Sequence, residues 1–400
     1  MLPPSLLSGI IDDATTTTTA TTSLLTRSQA ITYPLGFLAA FRTGAAISVI
    51  NQPQMPPVNV AVGSTILRLP TYGTRVRLFY PTTTTSESFN NNNNNNNNDA
   101  VIMMAPYCTD GRQTSDGMAR LVKFDALGLS FLLAHLANAS SGCVADSPID
   151  NAASLNGSGE ELPLLVYSHG YGGNMDMSTY FFRTMASKGM IVAAVEHTDG
   201  TASSTVLPDG SERKFNEYLM TGRQQLTRRA SELLEAIEFL PKELERVYST
   251  KVGTKMIGGH SYGAPSAIMA ANGASEKSNI AGLILHDPAL GMGYGMLPPN
   301  GAKSKIPSIT YTSDEYNRAK VRYGDLTLHV KGAYHGNFVD APLWAPSVVM
   351  RLLSLLIPAA GPSNPVEVHE QLAQSAAEFI RNKNPESPNV QAGNLFEFIA

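Results

Sequence analysis

From residue 73 onward, short apolar runs alternate with longer stretches whose apolar positions recur every three or four residues. The run Thr74-Arg75-Val76-Arg77-Leu78-Phe79-Tyr80 alternates polar and apolar side chains and predicts a half-buried edge strand. Four nearly continuous apolar runs follow, Leu162–Ser168, Met190–Glu196, Lys255–Gly259 and Ile280–His286, as expected of strands covered on both faces. Ser308–Ser313 and Leu326–Val330 extend the series. Helical periods lie between and after these strands: 223–239, where Leu226, Leu233, Leu234, Ile237 and Phe239 share a stripe, then 263–272, 342–357 and 367–381. Strands alternating with helices predict an α/β fold, a mostly parallel, doubly wound sheet with helices on both faces.

Two low-complexity tracts break the pattern. Residues 14–23 are mostly threonine, and nine consecutive asparagines occupy 90–98 after Thr82 to Thr85. Neither tract has apolar positions to offset its ordering entropy, so both are expected to be disordered. The expected organisation is a Thr-rich N-terminal extension over 1–60 and a single domain over 61–400. That domain would carry a disordered Asn loop at 82–99 and an insertion at 100–160.

Charge and composition narrow the function classes. The 29 basic and 33 acidic residues give a net charge of −4, which disfavours nucleic acid as a partner. A hydrophobic fraction of 43% with only 16% charged residues supports a large core. Cys108 and Cys143 are too few for a disulfide framework and sit in no zinc-type cluster, so no metal or other cofactor is expected. The first 13 residues lack a basic region and carry Asp12 and Asp13 where a secretory peptide would be cleaved. The most apolar window, 347–360, contains Arg351 and Pro358, so no membrane span is expected; a cytoplasmic or peripheral membrane location is favoured.

The chemistry concentrates at Gly259-His260-Ser261-Tyr262-Gly263, which follows a predicted strand and opens a predicted helix. A serine on such a strained turn is exposed at the end of the sheet, and the flanking glycines leave room for the turn. The helix beneath directs its N-terminal amides at any negative charge developing on a substrate, which favours acyl transfer. In this arrangement the acid and the base follow the serine in that order. Of eight histidines, His335 alone lies in a Gly-flanked loop leaving a late strand, Lys331-Gly332-Ala333-Tyr334-His335-Gly336-Asn337-Phe338, and is the candidate general base. The acid must end a strand between the two. Asp287, held before Pro288, and Asp314, in a polar run beside Glu315, both qualify, and pattern alone does not separate them. Two backbone donors would serve the oxyanion: the amide of Tyr262 and that of Tyr171, in the Gly-rich turn His169-Gly170-Tyr171-Gly172-Gly173.

Together these residues resemble the platelet-activating-factor acetylhydrolase family of serine-dependent phospholipases. The likeness rests on Arg77-Leu78-Phe79-Tyr80-Pro81, Ser168-His169-Gly170-Tyr171-Gly172, Ala193-Ala194-Val195-Glu196-His197, the elbow at 259–263 and His335-Gly336-Asn337-Phe338. It implies the α/β-hydrolase fold and carries the acid over to Asp287, which follows the strand directly after the elbow helix. It further implies calcium-independent hydrolysis of short or oxidised sn-2 acyl esters of glycerophospholipids through an acyl-enzyme. Tyr171 and Tyr262 depart from the less polar residues usual in the family, and the Asn tract is foreign to it.

Residues 118–137 are so rich in Leu, Val and Phe that a helix there would be apolar around most of its circumference. Such a helix is either buried or touches lipid, and Phe131 and Leu132 are the candidate interface residues for a peripheral membrane contact. Two rival readings stand beside the phospholipase: a carboxylesterase or cutinase-like hydrolase of small or polymeric esters, and a non-catalytic binding protein on a hydrolase fold.

Overall fold

The computed structural model describes residues 55–84, 103–157, 159, 161–216, 222–344, 360–385 and 388–399. Residues 1–54 and nearly all of the Thr/Asn tract lie outside this set, as does most of the helix expected over 342–357.

Thirteen strands are present among the described residues: β1 Val62–Arg68, β2 Arg75–Pro81, β3 Met104–Pro106, β4 Ser140–Ala145, β5 Glu161–Ser168, β6 Ile191–Glu196, β7 Ser204–Val206, β8 Glu212–Lys214, β9 Lys251–His260, β10 Ile280–His286, β11 Ser308–Thr312, β12 Leu326–Val330 and β13 Phe396–Ile399. All but the β7–β8 hairpin join one sheet in the order β13-β12-β11-β10-β9-β5-β6-β2-β1-β4-β3. Strands β6, β5, β9, β10, β11 and β12 run parallel, while β2 is antiparallel to both its neighbours. This is the sheet of the α/β-hydrolase fold, as expected.

Apart from α1 Arg112–Leu121, which packs against β7 and the turn at Ala134–Asn138, the helices cover the sheet: α2 Thr179–Ala186, α3 Arg223–Tyr248, α4 Gly263–Gly273 and α5 Pro365–Asn382. Alternation along each strand divides the core in two. Leu165, Val192, Met256, Ile284 and Ile309 pack with α2 and α5 residues such as Phe182, Leu372 and Phe379. Leu164, Ile191, Ile257, Leu283 and Leu285 face the other way, onto Leu233 and Ile237 of α3 and Ile268 of α4. Each fully buried Leu or Ile contributes about 1.5–3 kcal/mol.

Two expectations are corrected. β2 is no edge strand: it lies between β1 and β6, and all seven of its residues are buried. Its alternation misled because two of its polar positions are buried arginines with partners. Arg77 meets Asp176 at 2.5 Å and the carbonyls of Tyr107 and Pro106, and Arg75 pairs with Asp110 at 2.6 Å. Nor do residues 118–137 form one helix. α1 ends at Leu121, Lys123 and Gly128 both take positive φ, and only short 3₁₀ turns follow at Ser130–Leu132 and Ala134–Asn138. The insertion instead contributes β3 and β4, which prolong the sheet beyond β1.

Candidate active site

Register brings the candidate residues together. His260 at the end of β9 pairs with His286 at the end of β10, and His286 pairs in turn with Tyr311 on β11. Ser261 and Asp287 are therefore the first residues past two adjacent strand ends, at the edge where parallel α/β sheets place their ligands. The Ser261 amide donates to the His286 carbonyl at 2.9 Å, and the Asp287 amide to the Tyr311 carbonyl at 2.7 Å. Both residues have positive φ, +55° and +47°. Such backbone is costly for any side chain but glycine, and it turns Ser261 sharply off the sheet. A β-carbon on Gly259 would lie 2.4 Å from the Gly263 backbone, and one on Gly263 would lie 2.0 Å from the Ser168 carbonyl oxygen. Here the chain has room for hydrogen alone.

His335 arrives from the loop after β12, as its place in the sequence suggested. Its Nε2 lies 3.0 Å from Ser261 Oγ and its Nδ1 lies 2.6 Å from Asp287 Oδ2. A carboxylate only accepts, so Nδ1 carries the proton and Nε2 is left to accept from the serine hydroxyl. The other Asp287 oxygen accepts the Ser313 amide at 2.8 Å, and the carboxylate is fully buried. Asp314, the other acid that pattern allowed, is engaged elsewhere: its Oδ1 meets His329 Nε2 at 2.7 Å and accepts the Gly332 amide.

Two neighbours hold His335 that sequence reasoning did not single out. Tyr316 stacks on the imidazole with ring centroids 5.1 Å apart and planes 8° apart, and burial pushes its phenol up. Glu315 accepts the His335 amide at 2.9 Å, and burial raises its carboxyl as well. His260 lies against the opposite side of the ring at 4.5 Å; burial and the adjacent His335 hold it well below the ordinary histidine range.

Opposite the serine lies the loop 169–173. A β-carbon on Gly170 would approach Ser261 Cβ to 3.1 Å, so the loop backbone passes directly over the nucleophile position. A cavity of about 170 Å³ lies there, lined by Tyr171, Met177, Ser261, His335 and Val339 and by Leu121 of the insertion. Beyond Leu121, the side chains of Val122, Leu127 and Phe131 are 45%, 67% and 39% exposed, whereas Leu132 is half-buried. Among the described residues no helix is long and apolar enough to cross a membrane, and no group of three or more His, Cys, Asp or Glu side chains could hold a metal ion. Cys108 and Cys143 are both free and buried.

Strand order and elbow geometry define the class, the α/β-hydrolase fold with a serine on its nucleophile turn. Within that class, residues 52–246 match the family model described as platelet-activating factor acetylhydrolase, isoform II, which bears out the resemblance over that stretch. The chain is 25% identical over 238 residues to a platelet-activating factor acetylhydrolase of Cavia porcellus, covering 49% of this chain and 52% of that one. Over a 47-residue stretch, 12% of this chain and 11% of the other, identity to the Bos taurus enzyme of that name reaches 51%. The chain thus spans about half the length of the first of these relatives. A ferulic acid esterase from Streptomyces cinnamoneus shares its fold, with a TM-score of 0.56 and 20% identity over 86% of this chain and 98% of the esterase. The family match ends before Ser261, so the roles of Ser261, Asp287 and His335 rest on geometry.

Proposed function

We propose that this protein is a carboxylic ester hydrolase that works through an acyl-enzyme on Ser261, and that its substrates are short or oxidised sn-2 acyl esters of glycerophospholipids. The observation that carries the chemistry is the unbroken chain Ser261 Oγ to His335 Nε2 at 3.0 Å and His335 Nδ1 to Asp287 Oδ2 at 2.6 Å, with Ser261 and His335 lining a small cavity. In this reading His335 takes the Ser261 proton as Oγ attacks the acyl carbon, then returns it to the departing alkoxide of the lysophospholipid. Asp287 fixes the imidazole tautomer and stabilises the imidazolium. The amides of Tyr171 and Tyr262 face the carbonyl oxygen as it gains charge. Water activated by His335 then releases the fatty acid.

The lipid part of the proposal draws on the similarity to platelet-activating factor acetylhydrolases and on the exposed apolar side chains that follow the cavity-lining Leu121 in the chain. Such a patch suits a peripheral contact with a lipid surface. The decisive experiment is a substrate panel on wild type and Ser261→Ala: p-nitrophenyl acetate, a 1-alkyl-2-acetylglycerophosphocholine and its long-chain sn-2 counterpart. Ser261→Ala is expected to lose at least about 10³-fold in kcat on both short-chain substrates. Retention of activity by that variant removes the serine mechanism. Turnover of the soluble ester alone keeps the mechanism and replaces the lipid by a small or polymeric ester.

A further inference from the structure

The geometry points to Arg229 as a positioning residue that braces both halves of the oxyanion site. This inference rests on the reading of Tyr171 and Tyr262 as oxyanion donors and adds what holds them in place.

Arg229 lies in the second turn of α3 on the helix face that packs against the sheet, between Leu226, Ala230 and Leu233, and it is fully buried. A long cation on an apolar stripe is costly unless each of its donors finds an acceptor. The acceptors present belong to the oxyanion loop and its support. Nη1 donates to the His169 carbonyl at 2.6 Å, and Nη2 reaches the Gly170 carbonyl at 3.5 Å and Thr201 Oγ1 at 2.5 Å. Nε donates to Thr201 Oγ1 at 3.0 Å and to Asp199 Oδ2 at 3.1 Å. The Gly170 carbonyl also accepts from the Gly173 amide at 3.0 Å and from His169 Nδ1 at 2.8 Å.

Peptide planarity turns this into a statement about the donor. In a trans peptide the C=O and N–H vectors are opposed. With the Gly170 oxygen facing the guanidinium at 3.5 Å, the N–H of the same peptide unit, that of Tyr171, is directed away from Arg229. The second donor is held by the same cation: the guanidinium carbon lies 4.8 Å from the centre of the Tyr262 ring, and Tyr262 follows the nucleophile directly. The Tyr171 and Tyr262 rings meet edge to face at 6.2 Å. One buried planar cation therefore touches the loop that carries one donor and the side chain of the residue that carries the other. A point charge such as an ammonium cannot fill both positions.

Arg229→Lys tests this. For Arg229→Lys we expect kcat on p-nitrophenyl acetate to fall by about 10²-fold, in the range seen when one oxyanion donor is lost. KM should stay within about 3-fold, because the ground-state carbonyl gains little from those donors. Affinity for a trifluoromethyl ketone, which forms a tetrahedral oxyanion on serine, should fall in parallel with kcat. A purely structural role would lower thermal stability without this link between kcat and the ketone. Should Arg229→Lys fail to fold, Thr201→Val removes the hydroxyl behind the guanidinium and should show the same linked loss at smaller size. Wild-type kcat and ketone affinity in Arg229→Lys overturn the inference while leaving the serine mechanism intact. Absence of any hydrolysis by the wild-type protein overturns the mechanism itself.

Discussion

Asp287 and Asp314 each follow a strand, and each carboxylate holds a histidine at short range, 2.6 Å to His335 and 2.7 Å to His329. Only the first histidine reaches a serine. The proposed mechanism therefore predicts opposite outcomes for two substitutions of equal chemistry. Asp287→Asn keeps the shape but replaces an acceptor by an amide that can present a donor to Nδ1, favouring the wrong tautomer; kcat should fall about 10³–10⁴-fold. Asp314→Asn should keep kcat within a few-fold and cost only about 1 kcal/mol of stability, through a weakened contact to His329 and the Gly332 amide. Steady-state kinetics and thermal melts of the two variants check this, and inactivation by Asp314→Asn with an active Asp287→Asn would reverse the assignment. At this scale the site was legible in the sequence as far as strand ends and glycine punctuation could carry it. Tyr316, Glu315 and Arg229 were not, because the first two lie in a polar run that reads as a turn. Arg229 did leave a signal: it falls in phase with Leu226, Ala230 and Leu233, a charge on an apolar face.

At the scale of elements, buried strands were the most legible, since covering both faces makes them apolar runs; β10 and β12 have the bounds that the sequence predicts. β2 was misjudged because period-two alternation normally means one wet face, and here Arg75 and Arg77 bring their counter-charges inside with them. The insertion was misjudged for the opposite reason. Its apolar density between residues 118 and 137 suggested one helix, but the backbone breaks at Lys123 and Gly128, so Leu121 lines the cavity while Val122, Leu127 and Phe131 are exposed. The proposed lipid contact thus shifts within the segment. Leu127 and Phe131 are exposed, whereas Leu132 is half-buried and less suited to meet a bilayer. Leu127→Asp with Phe131→Asp should weaken sedimentation with phosphatidylcholine vesicles by an order of magnitude or more, because each buried aliphatic or aromatic side chain is worth about 1.5–3 kcal/mol. Hydrolysis of p-nitrophenyl acetate should be unchanged. Equal vesicle binding by wild type and double variant would remove the interfacial role of this segment.

Across the whole molecule, buried titratable groups outside the proposed Ser261, His335 and Asp287 chain set how folding responds to pH. Burial holds His169 and His197 well below the ordinary histidine range, with the Arg229 charge adding to the effect. It takes His286 down to about 3 and His369 to about 4. A histidine with a lowered folded pKa contributes its full stability above its unfolded pKa near 6.5, and that contribution is lost as pH falls toward the folded value. Glu196 and Asp340, pushed up by burial, act in the other direction: the folded forms bind a proton more readily than the unfolded chain, so acidification favours the fold at those positions. The net slope is therefore a difference between opposed groups, and a single-site comparison isolates one of them. His369 is suited to this, because it is fully buried on α5 with its ring edge to face with Tyr180 of α2. Between pH 7 and pH 5 it should withdraw about 2 kcal/mol from wild-type stability, a penalty that His369→Gln cannot incur. Urea melts of both proteins at the two pH values measure this directly. The variant pays a constant cost for repacking at either pH, but its loss on acidification should be smaller than that of wild type by about that amount. Equal losses in the two proteins would mean that His369 takes up its proton without leaving the folded state.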